Sequence, residues 1–454
     1  MAASPEQSLY AAREKIYPRE IDGVFSRLRT VAAVALLGVY YGLAWVPWDG
    51  RQAVLFDLPE RKFYIFGLIL WPQDFFFLSW LLIIAALSLF FFTALAGRLW
   101  CGYACPQTVW TEAFLWMERI TEGKGAARRK LDHAPWTAEK VARKTAKHAL
   151  WIGFALWTGF TFVGYFTPIR ELTEKIIILS LGGWETFWVL FYGFATWGNA
   201  GHLREQVCRY MCPYARFQSA MFDRDTLVIA YDPVRGEPRG SRQRGVEPRD
   251  VGLGDCIDCR VCVQVCPTGI DIRQGLQYEC IACAACIDAC DGIMDKMAYP
   301  RGLVRYSTQQ AMDGKATRLL RVRTLLYATL LTVLVAGFTV ALVSRMPLGL
   351  DIIRDRNALY RERAGFIENV YTLKLLNKDV TDHTYILEVG GIPTIRVEVD
   401  PPELRVPAGE IFAAAARVMV DDGIVSGGHD VIFALRAVGD PELRVTETGR
   451  FFAP

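Results

Sequence analysis

The sequence predicts a mixed fold in three parts: an α-helical region of five membrane spans, a cysteine-rich α+β insert, and a C-terminal all-β sandwich. Three observations predict it. Five stretches are apolar and long enough to cross a bilayer, which takes about 20 residues. Eight of the 12 cysteines fall between Cys256 and Cys290. Beyond residue 350, short β-branched runs alternate with turn signals.

The spans are expected at Val31–Trp48, Phe75–Gly97 (with an apolar prelude from Phe63 to Gln73), Ala149–Ile169, Ile176–Gly201 and Thr324–Ser344. Gly182, Gly183 and Glu185 interrupt the fourth. Ala2–Thr30 is polar and lacks the apolar core of a cleavable signal peptide. Apolar residues make up 52% of the 454 and charged residues 22%, an apolar excess over soluble chains. A net charge of +3 gives no reason to expect nucleic acid.

Basic residues set the expected orientation. Arg98–His148 holds ten Lys or Arg and the first 30 residues hold five, whereas only Arg170 and Lys175 follow the third span. The N-terminus, the 98–148 loop and the segment after Gly201 are therefore expected in the cytoplasm. The chain after Ser344 is expected outside, in the periplasm of a Gram-negative cell. The run Arg128-Arg129-Lys130 reads as a topology signal near anionic lipid. Trp45, Trp48, Trp71, Trp184 and Trp197 read as an aromatic belt. Glu185, at membrane depth, is either functional or an interface marker.

The insert carries Cys256-Ile-Asp-Cys259-Arg-Val-Cys262-Val-Gln-Val-Cys266-Pro267, then Cys280-Ile-Ala-Cys283-Ala-Ala-Cys286-Ile-Asp-Ala-Cys290. This is the two-cluster ferredoxin run, occurring twice. Two-residue gaps let one tight loop aim three thiolates at one cubane, while the fourth cysteine points to the other. One 4Fe–4S cluster is thus expected on Cys256, Cys259, Cys262 and Cys290, the other on Cys280, Cys283, Cys286 and Cys266. Zinc has no use for crossed fourth ligands. A secreted disulfide framework does not cluster its cysteines this way.

The other four cysteines form Cys101-Gly-Tyr-Ala-Cys105-Pro106 and Cys208-Arg-Tyr-Met-Cys212-Pro213. Each follows the expected cytoplasmic end of a span. If helical, cysteines at i and i+4 share one face, roughly 5–6 Å apart. Three readings stand: a thiolate site for a soft ion such as Cu(I), a redox dithiol, or apolar packing. Met211 offers a thioether. His202, six residues before Cys208, is an interface residue or a metal or proton site.

After Leu350, strands are expected around Tyr371–Leu375, Tyr385–Val389, Thr394–Val399 and Val431–Ala437. Turns are expected at Gly390–Gly391, Asp400–Pro402, Asp421–Gly423 and Gly439–Pro441. They suggest a small β-sandwich without cysteine. The expected domains are a cytoplasmic N-terminal segment (1–30), spans one to four with the cytoplasmic loop 98–148 (31–201), a cytoplasmic ferredoxin-type 4Fe–4S domain (202–320), a fifth span (321–345) and the sandwich (351–454).

Several stretches resemble the cytochrome c oxidase accessory family CcoG, also called FixG or RdxA. They are Cys101–Trp110, Arg204–Gln218, Gly269–Cys280 and Glu368–Asn377. The resemblance extends over nearly the whole chain. It implies a bacterial inner-membrane protein with an immunoglobulin-like periplasmic tail and a role in building cbb-type cytochrome c oxidase. The implied activity is reduction of Cu(II) to Cu(I), with Cys101, Cys105, Cys208 and Cys212 as the redox or copper pair. The implied partners are the membrane, a cytoplasmic electron donor, and copper chaperones or oxidase subunits. Ala282 stands where glycine is expected and His202 where a bulky apolar residue is expected. Two other classes stay open: a quinol-linked membrane ferredoxin of the NapH type, and a non-enzymatic assembly scaffold.

Overall fold

The computed structural model describes residues 15–363 and 365–454. Residues 1–14, part of the expected cytoplasmic N-terminal segment, lie outside the described residues. The described residues divide into two compact units: 15–45 with 82–334, and 46–81 with those from 335 to 454.

Three helices among the described residues are long and apolar enough to cross a membrane: Val24–Leu43, Pro72–Ala96 and Val322–Val343. Hardly any of their side chains are buried by protein, as expected of helices whose solvent is lipid. The first starts and ends earlier than Val31–Trp48, because the chain turns after Leu43 and forms the short strand Pro47–Trp48.

Only three of the five expected spans meet the length and hydropathy requirement. The third expected stretch is the second half of a longer helix, Ala138–Val163, whose first half is rich in Lys and Arg. The fourth is broken. A helix Ile169–Ile177 ends before Leu179, the α-helix Gly183–Thr196 follows, and Trp197–Leu203 is wound as π-helix. The two segments cross closely. A Cβ on Gly159 would clash with the Val189 carbonyl oxygen and stand 2.9 Å from the Gly193 nitrogen. Small residues at a helix crossing let backbones approach in this way.

In the first unit, the insert is built from the strands Val228–Tyr231 and Val304–Ser307, paired antiparallel, and the helices Val261–Gln264 and Ala285–Met297. The segment from Cys101 to Trp151 is held by buried charge. Glu118, 1% exposed, accepts from Arg128 at 2.6 Å and Arg204 at 2.8 Å. Arg128 also pairs with Glu20 at 3.5 Å. Arg128 therefore does not face lipid, because the neighbouring carboxylates draw it inward. Glu185 accepts from the Gly182 amide at 2.8 Å and Lys175 at 2.9 Å, so it closes the start of its helix.

In the second unit, Val54–Asp57, Lys62–Ile65 and Leu68–Leu70 form a three-stranded sheet. The apolar prelude to the second span is therefore strand. It joins the C-terminal part through Asp74, which accepts from Arg345 at 2.6 Å. Arg345 also donates to the Ile69 carbonyl at 2.8 Å. Trp71, 3% exposed, belongs to this unit's interior and to no aromatic belt. The rest is a sandwich of two antiparallel sheets. One orders Arg396–Asp400, Ile411–Asp421, Phe366–Asn377 and Leu348–Arg354, with Arg361–Arg363 beside Phe366–Asn377; the other orders Leu404–Val406, His383–Gly390, Gly427–Ala437 and Asp440–Ala453. Buried and exposed residues alternate along Ile411–Asp421. Tyr371, Leu373, Leu375, Val418, Phe433 and Phe451 form its buried core.

Candidate functional site: two cysteine loops and four membrane-proximal thiols

Each cysteine loop has the same local shape. The second and fourth residues after its first cysteine take left-handed backbone angles: Asp258 (φ 51°) and Arg260 (φ 54°) in one, Ala282 (φ 55°) and Ala284 (φ 59°) in the other. Alternating handedness curls a loop around a centre and turns its amides inward, a shape suited to an anionic group. Ala282 thus sits where the backbone favours glycine, which explains the expectation of glycine there.

The loops line two separate small pockets. Cys256, Cys259, Cys262 and Cys290 line the first, with Ile293, Met294 and Leu303. Cys266, Cys280, Cys283 and Cys286 line the second, with Ile229, Ile272 and Ile281; Cys262 also reaches its wall. Four thiols on apolar walls in each cavity suit a 4Fe–4S cubane. Cys259 is the one exposed cysteine among the described residues. Thr268, 2% exposed, brings its hydroxyl to 3.3 Å from the Cys266 Sγ.

The four remaining thiols meet at one place, but not by the expected route. Cys101 lies in the short helix Leu99–Tyr103, and Cys105 is extended and starts the helix Pro106–Glu122. Cys208 lies in the π-turn Val207–Met211, and Cys212 starts Pro213–Ala220. Neither pair shares one continuous helix face. In each motif, proline occupies the first helical position, where its missing N–H costs nothing, and the chain bends at the second cysteine. Burial pushes the Cys101 thiol up to about 12, with Cys105, Cys208 and Cys212 adding to the effect and Arg98 opposing it. Burial likewise pushes Cys208 up to about 11, helped by Cys105 and Cys212. Among the described residues, no three His, Cys, Asp or Glu side chains converge as a ready chelate for a single ion. Met211 is exposed.

This group abuts the second cysteine loop. Cys101 and Cys208 pack on a core containing Ile281, Cys283 and Ala285. The approach is through backbone: a Cβ on Gly102 would stand 2.8 Å from the Ala282 oxygen and 2.9 Å from the Ile281 oxygen. Cys101 Sγ donates to Gln218 Oε1 at 3.3 Å. A cavity beside both sites is lined by Cys208, Cys283, Arg29, Gln107 and Thr268. His202 lies tilted against Trp197, ring centroids 4.4 Å apart, and 6.1 Å from the His148 ring. Sequence reasoning gave no role to Arg29, Arg98 or Gln218, whose contacts here are with residues more than a hundred positions away.

Two curled loops of four thiols each, on a chain with apolar helices long enough to cross a bilayer, define a membrane-associated iron–sulfur electron-transfer protein. The chain's similarities agree. The 4Fe-4S dicluster domain family matches residues 203–309 and the 4Fe-4S binding domain family residues 78–124. The family described as the IG-like fold at the C-terminal of FixG matches residues 338–454. Nitrogen fixation protein FixG of Rhizobium meliloti (strain 1021) is 38% identical over 88% of this chain and 83% of its own length. Protein RdxA of Cereibacter sphaeroides is 41% identical, over 87% of this chain and 86% of its own. Protein RdxB of the same organism is 39% identical, over 92% and 91%. The chain belongs to the FixG/RdxA family. The match over residues 78–124 takes in Cys101 and Cys105, which sequence reasoning had set apart from iron–sulfur motifs.

Proposed function

We propose that this protein reduces Cu(II) to Cu(I) at the four membrane-proximal thiols, for loading into a cbb-type cytochrome c oxidase. The observation that carries the reading is the contact of Cys101 and Cys208 with the core around Cys283. Cys256, Cys259, Cys262 and Cys290 are the ligands of one cluster, and Cys280, Cys283, Cys286 and Cys266 those of the other. Bound there, 4Fe–4S clusters supply single electrons of low potential. Cys101, Cys105, Cys208 and Cys212 take the copper. Soft thiolates favour Cu(I) over Cu(II), and binding the ion displaces protons that burial otherwise keeps on these thiols.

Helices Ala138–Val163 and Gly183–Thr196 complete a five-span bundle, supported by their glycine crossing. With the basic loop 98–148 inside, the cysteine sites are cytoplasmic and the sandwich periplasmic. The partners on this reading are a cytoplasmic electron donor and, for the product, copper chaperones or oxidase subunits.

The test is a cupric reductase assay on anaerobically purified protein carrying Cys101→Ala and Cys208→Ala. The expected outcome is loss of Cu(I) formation with about eight iron per chain retained. Wild-type turnover without both thiols would end the copper reading. A second reading, quinol oxidation, has one observation in its favour: a pocket lies beside both Cys208 and Cys283. Cluster reduction by a quinol, with no response to copper, would select it.

A further inference from the structure

We propose that Arg29 and Arg98 make the second iron–sulfur site, on Cys280, Cys283, Cys286 and Cys266, the more readily reduced of the two. The inference rests on the ligand assignment above and not on the copper reading.

The two loops share a backbone shape but differ in charge. At the second loop, Arg29 donates to the Cys283 carbonyl at 2.8 Å. Arg98 donates to the carbonyls of Tyr278, Cys280 and Ala215 and to Ser219 Oγ at 2.6 Å. Arg98 is 3% exposed, and its Nε has no partner among the described residues. Neither guanidinium has a carboxylate partner among the described residues; their hydrogen bonds go to neutral oxygens. A buried cation without a counter-charge costs several kcal/mol, so Arg98 gains from negative charge placed beside it. Asp288, on the helix after Cys286, does not supply that charge. Its oxygens accept from the amides of Phe25 and Ser26, at the positive end of the helix Val24–Leu43.

At the first loop the guanidinia are ion-paired. Arg273 donates to Asp258 at 2.5 Å and to Asp271 at 2.6 Å, and Arg260 lies 3.9 Å from Asp258, so each cation there is matched by a carboxylate. Asp255, just before Cys256, adds an ion pair with Arg235 at 2.5 Å. Reduction adds one negative charge to a cluster. Arg98, buried without a carboxylate partner, favours that charge most, and Arg29 adds to it although Glu112 and Asp288 act on it; the ion-paired guanidinia of the first loop favour it less. At equilibrium a single electron therefore resides at the second site, the one packed against Cys101 and Cys208.

The test is an EPR-monitored redox titration of the full chain, purified anaerobically in detergent with no copper present. In Arg29→Gln and in Arg98→Gln, one of the two reduced-cluster signals should become at least tenfold harder to reduce, a fall of about 59 mV for one electron. The other signal and the iron content should stay. Arg29→Lys, which keeps the charge, should restore the midpoint. Arg273→Gln should move the other signal and so identify it. If Arg98→Gln loses iron, Arg29→Gln decides alone. Unchanged midpoints in Arg29→Gln with iron retained would overturn the proposal, as would Arg29→Gln and Arg273→Gln moving the same signal. Since copper is absent, this result stands or falls separately from the cupric reductase assay.

Discussion

The cysteine-bearing unit and the sandwich are held together by different forces. The sandwich is a hydrocarbon core between two sheets, with Tyr371 and Phe433 fully buried and in edge contact, ring centroids 5.0 Å apart. The cysteine-bearing unit has smaller apolar clusters, buried ion pairs around Glu118, and a backbone-to-backbone approach at Gly102. The difference teaches that the first unit depends on exact polar partners and the second on buried area. A hydrophobic core tolerates small losses by partial collapse. A buried charge that loses its partner has no such relief.

The sharpest way to break this comparison is to remove one charge in one unit and one ring in the other. Glu118→Gln leaves Arg204 buried without a carboxylate and Arg128 with only Glu20 at 3.5 Å, at a cost of about 3–5 kcal/mol. Phe433→Ala should cost a similar ~3–5 kcal/mol. Thermal unfolding should register both, but iron analysis should register only the first, since the ring lies in the other unit. The charge also predicts a pH signature. Burial raises Glu118, but Arg204 and Arg128 outweigh it and hold the carboxyl at about 2, below its usual 4.5. Its contribution is therefore complete above about pH 4.5 and is lost as the pH falls through about 2. Acid stability curves of wild type and Glu118→Gln should converge at the low end; curves that stay parallel would refute the ion-pair account.

A smaller effect is expected at the close approach. Gly102→Ala forces its new methyl against two carbonyls, which must shift, at about 1–3 kcal/mol. Chelator-driven iron release should quicken in this variant. Gly292→Ala, with nothing within 4 Å of its Cβ, is the control and should not change.

The smallest effect has the opposite sign. Ala282→Gly relieves a left-handed alanine, and should stabilise the second loop by about 0.5–1 kcal/mol. Slower iron release from one of the two sites would show it. No change would mean that the loop's surroundings already absorb the strain.

How much of this was legible beforehand follows from distance along the chain. The grouping of eight cysteines was legible because the ligand loops are local, and two-residue gaps leave few ways to turn. The sandwich was legible in part. Four of its strands alternate clearly, but Ile411–Asp421 begins with a run of alanines that favours helix in isolation. It became strand because Phe366–Asn377 and Arg396–Asp400 flank it on both sides. The fourth apolar stretch read as one span interrupted at Gly182, Gly183 and Glu185; the interruption is a full break between two helices, and composition does not reveal the change to π-helix at Trp197.

By itself, then, the sequence determined the two cysteine loops, the sandwich's existence and the apolar helices, because each depends on neighbours within a few residues. Only the tertiary structure decided that Arg29, Arg98 and Gly102 meet the second loop, that Glu118 draws Arg128 inward, and that residues 46–81 fold with the C-terminal unit. Those outcomes depend on partners outside the local turn, ten residues away for Glu118 and Arg128 and more than a hundred for the others, where no local spacing records the contact and only packing brings opposite charges and close backbones together.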